Sequence, residues 1–367
     1  MGLIVHTIDL VDFRNYEHAS FEFGEELTVL VGPNATGKTS VIEALQLATT
    51  GASFRRPRWQ EVVREGSSQA KVLLHARGDD REVDLLVKVD AAGSKTHAVN
   101  GVDRKGAAGI VGIMPSVVFT PDDLQIVKGP AEARRATVDD LGSQLSSTYA
   151  ALKKDYARVL RQRNALLKQE ATQGDLKAWD EQLIDRGSRL MQHRARLVER
   201  TGSSAARIYS DLAGDEIFSI EYRASWDRGV TGEAVTPDTD FGERLRIELE
   251  KSRAEEQARR VTVMGPHRDD LAFVISGAAA RSFGSQGQQR TAALAWKLAE
   301  VEVITDITGA TPLLLLDDVM SELDESRRSA LAALTRSSVQ TVVTTTNIHY
   351  FDEAFVRDAV ILETSGG

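Results

Sequence analysis

The segment that most narrows what this chain can fold into is Gly32-Pro33-Asn34-Ala35-Thr36-Gly37-Lys38-Thr39. It fits the pattern G-x-x-x-x-G-K-[ST] and stands where that pattern has physical meaning. A run that reads as a strand, Leu27 to Val31, precedes it, and an apolar-periodic helix, Val41 to Ala48, follows. In such a strand–loop–helix unit the glycines let backbone N–H groups turn inward around phosphate oxygens, and the helix N-terminus adds its positive end. Gly32 through Thr39, with Ser40 behind them, are therefore the candidate phosphate-binding residues. Lys38 is expected to reach the β- and γ-phosphates, and the Thr39 hydroxyl to ligate Mg²⁺. The expected class is α/β.

The matching half of such a site lies about 280 residues downstream. "LLLLDDVMSELD" reads as a buried strand ending in Asp317-Asp318. A carboxylate at the end of a strand beside a phosphate loop is where Mg²⁺ or its water shell needs an acid, which assigns Asp317 to the metal. Asp318 is then placed to polarise an attacking water as general base. The alternative is that the two aspartates cap a helix beginning at Val319.

Between these halves the pattern changes character. "KVLLHARG", "REVDLLVKVD" and "KTHAV-NG-VDRKG" read as antiparallel strands with a hairpin turn at Asn100-Gly101. "MPSVVFTPDDL" reads as a strand, after which Pro121 opens a helix behind Thr120 as N-cap. From about residue 137 to 208 the spacing is helical, with a break at Gly174. Beyond it Leu176, Leu183, Leu190 and Leu197 recur every seven residues, as two helices folding back on each other require. Charge is unevenly spread: residues 151–207 hold 13 Lys/Arg against 7 Asp/Glu in a chain of net charge −9. A local nucleic-acid footprint and an ordinary solvated helical surface both fit that asymmetry.

Composition excludes several classes. No cysteine is present, so disulfides and thiolate metal sites are out. The longest apolar runs fall far short of a membrane span, and the alternating start "MGLIVHTIDLVDF" lacks the marks of a signal peptide, so a cytoplasmic protein is expected. His6, His18, His75, His97, His193 and His349 are scattered without ligand spacing. A nuclease of the cassette-plus-metal type lacks a further acidic cluster for two metals, the sequence running only 50 residues past Asp317.

"RSFGSQGQQRT" (281–291) holds a serine, a glycine and three glutamines where a helix-like run begins. A hydroxyl and glycine N–H groups there make a second phosphate-binding surface, best used from another copy because the first site has its own helix N-terminus. Ser285, Gly287 and Gln288 resemble the L-S-G-G-Q signature of ATP-binding-cassette (ABC) ATPases, and "SELD" (Ser321 to Asp324) stands where that superfamily has its dimer-contacting loop. The resemblance implies ATP held between two subunits, with Ser285, Gly287 and Gln288 contacting it in trans.

The spacing is too long for a transporter subunit, and the arm too short for long coiled-coil relatives. "FRNY" (13–16), "FTPDDLQIVKG" followed by Arg134-Arg135, "GPHRDDL" (265–271), "SQGQQR", "LLLLDDVMSELD" and "TTTN" (344–347) together resemble the RecF family of bacterial DNA replication and repair proteins, in that family's order across nearly the whole chain. Pro33, Ala35-Thr36 and the polar "RRATVDD" depart from the family's usual pattern in loop detail. The resemblance implies an ABC-type ATPase lobe, a mixed sheet with a P-loop core, assembled from residues 1–125 and 260–367. Inserted in it is a mainly helical lobe, 126–259, with a short antiparallel helical arm, 140–208. It implies ATP and Mg²⁺ as cofactors, an ATP-induced homodimer, DNA binding without sequence preference, action with RecO and RecR, and help to RecA indirectly.

On that basis Thr345 takes the place of the transporters' switch histidine, and Asp318 that of their usual glutamate. Both position a water less well, so hydrolysis is expected to be slow. Arg55, Arg56 and Arg58, three arginines in four positions, and Lys153, Arg158, Arg161 and Arg163 on the arm are candidate DNA contacts. For His267-Arg268-Asp269-Asp270 a structural ion-pair role is the expectation, with a DNA or nucleotide contact through His267 and Arg268 as the alternative. Two functions fit: an ATP-switched DNA clamp, or an adaptor whose nucleotide is structural and whose output is docking RecR-type partners.

Overall fold

The structure is a computed structural model and describes all residues other than 1, 79–80, 171, 228–234, 326, 330, 332–338, 349–350, 352–355 and 365–367. The chain divides into two compact units, Met1–Asp123 with Glu300–Gly367, and Leu124–Ala299. The division falls inside helix α8 (Gln286–Thr308).

The first unit opens with β1 (Ile4–Phe13), β2 (Tyr16–Glu22) and β3 (Leu27–Val31), then α1 (Lys38–Thr50) and β4 (Gln69–Gly78), β5 (Arg81–Asp90), β6 (Lys95–Val99), β7 (Val102–Arg104) and β8 (Ser116–Phe119). The second unit supplies α2 (Gln125–Lys128), α3 (Ala131–Leu145), α4 (Ser147–Lys168), α5 (Gln173–Ala213), β9 (Phe218–Arg223), α6 (Phe241–Arg259), β10 (Asp270–Ile275), β11 (Ala278–Ala279), α7 (Ala280–Phe283) and most of α8. The chain then returns to the first unit as β12 (Leu313–Asp317), β13 (Thr341–Thr345) and β14 (Val360–Glu363).

Two sheets build the first unit. One is antiparallel, of order β2-β1-β4-β5-β6-β7; the other is parallel, of order β14-β3-β13-β12-β8. The inner strands β12 (LLLLD) and β13 (TVVTT) are buried at every residue because both faces are covered, whereas the edge strand β14 (VILE) is largely exposed. Helix α1 packs against strands of both sheets, and Val41, Ile42, Ala44, Leu45, Leu47 and Ala48 are fully buried on it. The Asn100-Gly101 hairpin forms as expected. Both residues have positive φ (49° and 75°), and the Asn100 side chain accepts from the Asp84 N–H.

In the second unit α4 and α5 pack side by side. Leu176, Leu183, Leu190 and Met191 are buried on α5, and Leu152, Tyr156, Val159 and Leu167 on α4. The helix break falls earlier than Gly174. Glu170 has φ 57°, and α5 starts with Thr172 as N-cap in a capping box with Asp175, which leaves Gly174 in the first turn. The boundary placed at residue 260 from the sequence falls at 300 in this division. Residues 260–299 group with the second unit because β10 pairs with β9 along its full length and α3 packs on β10.

Candidate nucleotide site

The phosphate loop joins β3 to α1, and its glycines are required by what surrounds them. A Cβ on Gly32 would stand 2.5 Å from Thr364 Oγ1 and 2.6 Å from the Thr364 carbonyl oxygen. Gly37 has φ 99°, and a Cβ there would collide with the Tyr16 hydroxyl and the Asn15 side chain. Thr36 anchors the loop by donating to the Pro33 carbonyl (2.9 Å), and its hydroxyl pairs with that of Thr364 (2.8 Å). Lys38 is folded back onto the loop: Nζ donates to the carbonyls of Gly32 and Pro33, 2.7 Å each. Burial lowers the Lys38 pKa, and the charges of Asp318 and Asp317 oppose that.

The two motif halves meet although 278 residues separate them. Thr39 Oγ1 donates to Asp317 Oδ1 at 3.0 Å, and Thr344 Oγ1 donates to the same oxygen at 2.8 Å. Register produces this triplet. β13 lies between β3 and β12, pairing Thr344 with Leu30 on one side and with Asp317 on the other. Burial raises the Asp317 pKa, while the hydroxyls of Thr344 and Thr39 act the other way by bonding its charged form. One hydroxyl and one carboxylate suit Mg²⁺, which keeps waters and shares phosphate oxygens. Among the described residues no group of three His, Asp or Glu could cage an ion.

Asp318 occupies the N-cap position of the 3₁₀ turn Val319–Glu322, but its side chain makes no capping bond. Its backbone is left-handed (φ 52°, ψ 26°) and is held by donation of its N–H to Thr344 Oγ1 at 2.9 Å. Asp318 lines a cavity of about 560 Å³ with Asn34, Ala35, Gly37, Lys38, Thr39, Ser40 and Thr344. Thr345 does not line it. Its fully buried hydroxyl donates to the Asn347 carbonyl and accepts the Asn347 N–H. Thr344 is the residue sequence reasoning missed, because only the parallel register of β12 with β13 sets it, and not Thr345, beside Asp317.

Arg55 belongs to this cavity too. The Glu43 carboxylate, fully buried on α1, accepts from Arg14 Nε (2.9 Å) and Nη2 (2.7 Å), from Ser53 Oγ (2.7 Å) and from Arg55 Nη1 (3.3 Å). Arg14 and Arg55 both line the cavity. The anion beside the "RRPR" run is thus a carboxylate of the chain itself, and Arg55, 38% exposed, lines the cavity while remaining at the surface. Arg56 and Arg58 are exposed.

In the second unit Ser285 caps α8. Its Oγ accepts the Gln288 N–H (3.2 Å), and Gln288 Oε1 accepts the Ser285 N–H (2.8 Å). The glutamines divide their work. Gln288 also donates to Glu216 (2.8 Å), and Gln289 is buried, donating to the carbonyls of Ala280 and Gly284 to tie α7 onto α8. Ser285 and Gln286 are exposed and Gly287 is half-buried.

The arm candidates separate. Arg161 is exposed. Lys153 lies 3.7 Å from Asp139 and 3.8 Å from Asp140, and Arg158 pairs with Asp155 at 3.0 Å. Arg163 is overturned as a DNA contact: it is fully buried, donating to Asp180, Glu256 and Thr262. The "GPHRDDL" turn is structural at three of its four polar residues. His267 Nδ1 meets the Tyr156 hydroxyl at 2.7 Å, and burial pushes its pKa down to about 4. Asp269, fully buried, accepts from Tyr222 and from the Ser225 N–H, and Asp270 holds Arg134 by two bonds of 2.6 and 2.8 Å. Arg268 is exposed. His349 lies outside the described residues, and among them no helix is long and apolar enough to cross a membrane.

A family model described as RecF/RecN/SMC N terminal domain matches residues 4–365. The DNA replication and repair protein RecF of Symbiobacterium thermophilum is 39% identical over 97% of this chain and 94% of its own length. That of Rippkaea orientalis is 36% identical over 100% and 99%. A solved structure of the recombination mediator protein RecF-ATPrS in the RecFOR pathway superposes with a TM-score of 0.87 at 31% identity, covering 96% of this chain and 94% of its own. The Smc head domain from Pyrococcus furiosus shares the fold, with a TM-score of 0.54 at 17% identity over 94% and 90%. The phosphate loop closed by a threonine–aspartate–threonine triplet thus sits in a fold common to these ATPase heads, and the chain belongs to the RecF family of DNA replication and repair proteins.

Proposed function

We propose that this protein is an ATP-switched DNA-binding protein of recombinational repair and replication restart. The observation that carries the reading is the hydroxyl–carboxylate pair Thr39–Asp317 beside Lys38. Binding ATP asks little of the loop. Lys38 would give up the two carbonyls it now holds and turn to the β- and γ-phosphate oxygens, with backbone N–H groups of the loop and the α1 N-terminus beside it. Thr39 and Asp317 are the residues that would hold Mg²⁺, which would supply neutralisation of the phosphate charge. Asp318 lines the same cavity and accepts the proton of the attacking water. Arg55, within electrostatic reach of Asp317, adds positive charge at that end of the cavity.

Ser285, Gly287 and Gln288 complete the nucleotide site from a second copy, so ATP favours a homodimer and slow hydrolysis, a timer rather than a motor, releases it. The exposure of Ser285, and the cap that presents it, support this. The dimer clamps duplex or gapped DNA, Arg56, Arg58, Lys153, Arg158 and Arg161 being phosphate contacts, and with RecO and RecR it helps RecA onto DNA in the cytoplasm. The RecF structures in the RecFOR pathway with ATP and ATPrS support both the nucleotide and the setting.

Mixing variants tests the reading. Lys38→Ala and Ser285→Arg are each expected to lack ATPase activity, yet their equimolar mixture regains up to about a quarter of it, because half the dimers then carry one intact composite site. A mixture as inactive as its components rules out the shared site. The adaptor alternative predicts that Lys38→Ala leaves ATP-dependent DNA retention unchanged.

A further inference from the structure

Helix α5 carries a row of cations that the net charge of the arm only hinted at. The cations are Arg189, Arg196, Arg200 and Arg207; with His193 and Ser203 between them they follow one another at intervals of four and three residues, and all six side chains are exposed. That spacing places them on one face of an α-helix, and at 1.5 Å per residue the row is about 27 Å long. It lies opposite the face on which Leu183, Leu190, Met191, Arg194 and Val198 are buried.

Two further observations describe the row. Among the described residues no carboxylate is within salt-bridge distance of Arg189 or Arg196, while Arg207, at the end of the row, lies 3.8 Å from Asp211. The field along the row is felt by its own histidine: partial burial first, then the charges of Arg196 and Arg189, lower the His193 pKa below the usual imidazole value. The face also lacks what a protein partner needs. No large apolar side chain is exposed on α5, and protein interfaces bury an apolar or aromatic centre within a polar rim. A straight cationic row with no apolar anchor fits a regular polyanion, and evenly placed arginines are the residues that take phosphodiester oxygens without reading sequence.

We infer that the Arg189–Arg207 face of α5 is a nucleic-acid backbone contact that gives the protein its nucleotide-independent share of DNA affinity. The inference rests on the DNA-binding reading above but not on the ATP switch. It therefore differs in residues from the contacts proposed at Arg56, Arg58, Lys153, Arg158 and Arg161, and in nucleotide dependence from the ATP-held dimer.

The test is salt-titrated fluorescence anisotropy on a labelled duplex and on a single strand of equal length, without nucleotide and with ATP. The proteins compared are the full chain, Arg196→Glu/Arg200→Glu, Lys38→Ala, and a charge-matched control, Lys251→Glu/Arg259→Glu on α6. The double variant is expected to lose about tenfold or more in affinity at moderate salt without nucleotide, with a log–log salt slope shallower by about two. The gain on adding ATP stays, while Lys38→Ala does the reverse. Wild-type affinity and slope in the double variant, at unchanged circular dichroism, overturn the inference. A loss matched by Lys251→Glu/Arg259→Glu also overturns it, because net charge alone then explains the effect. Absence of any ATP-dependent gain in the wild type refutes the switch and leaves the α5 contact standing or falling on its own slope.

Discussion

Arg163→Ala tests whether the arm is held by its own charges or offers them to a ligand. The guanidinium is fully buried. Nε donates to Asp180 (2.8 Å), Nη1 to Glu256 (3.1 Å) and Thr262 Oγ1 (2.8 Å), and Nη2 to Glu256 (2.6 Å). Burial alone would lower the arginine pKa, but the bonds and charges of Glu256 and Asp180 raise it. Truncation leaves Glu256, 1% exposed, without its cation, while Asp180 keeps only Arg253 at 3.1 Å. Removing one partner of a buried pair costs about 3–5 kcal/mol, because the other charge stays buried. With a slope of about 2–3 kcal/mol per molar urea, the midpoint falls by roughly 1–2 M.

The assay is urea unfolding followed by tryptophan fluorescence, which weighs the second unit because Trp179, Trp226 and Trp296 lie there against Trp59 in the first. Arg163→Met with Glu256→Met, which removes the stranded carboxylate and leaves Asp180 to Arg253, is expected to recover most of the stability. A midpoint within about 0.3 M of wild type, together with weakened DNA binding, refutes the reasoning and returns Arg163 to the surface.

Gly37→Ala is expected to abolish binding of a fluorescent ATP analogue, because the new Cβ meets Tyr16 and Asn15 and the φ of 99° is strained for alanine. Asp269→Asn probes pH dependence by chemical denaturation. Burial raises this carboxyl to about 6 against an unfolded value near 3.8, so it stabilises the fold at low pH and that contribution is lost as pH rises through about 6; the variant should flatten the slope between about pH 4 and 6. Thr344→Val removes a donor to Asp317 and an acceptor from the Asp318 N–H. It should lower the ATPase rate at least tenfold with ATP binding largely kept, and equal loss of both contradicts the positioning role.

How far the sequence could be read depended on the range of the interaction. The phosphate loop and the acidic strand were legible because each is a local pattern, and their meeting followed from shared chemistry although 278 residues separate Thr39 from Asp317. The hairpin at Asn100 and the pairing of α4 with α5 followed from turn chemistry and helical period. Interactions that no local period encodes were not legible. Arg163 with Glu256 spans 93 residues, and Arg134 with Asp270 spans 136, so each arginine alone looks like solvated surface. The pairing of Arg55 with Glu43 was not legible because Glu43 reads as one polar residue in an apolar helix. The return to the first unit was put at 260 for want of any strand pattern showing that β10 belongs with β9. Thr344 and Thr345 are indistinguishable until parallel register decides which hydroxyl faces Asp317.

The most direct test of the central claim is fluorescence anisotropy on a labelled gapped duplex, with the protein titrated in ATP, in ADP and without nucleotide. Binding that tightens in ATP alone, and weakens steeply with salt, is the result the account predicts. Equal binding in all three states contradicts it, because a ligand with no differential affinity for the DNA-bound form cannot switch that form.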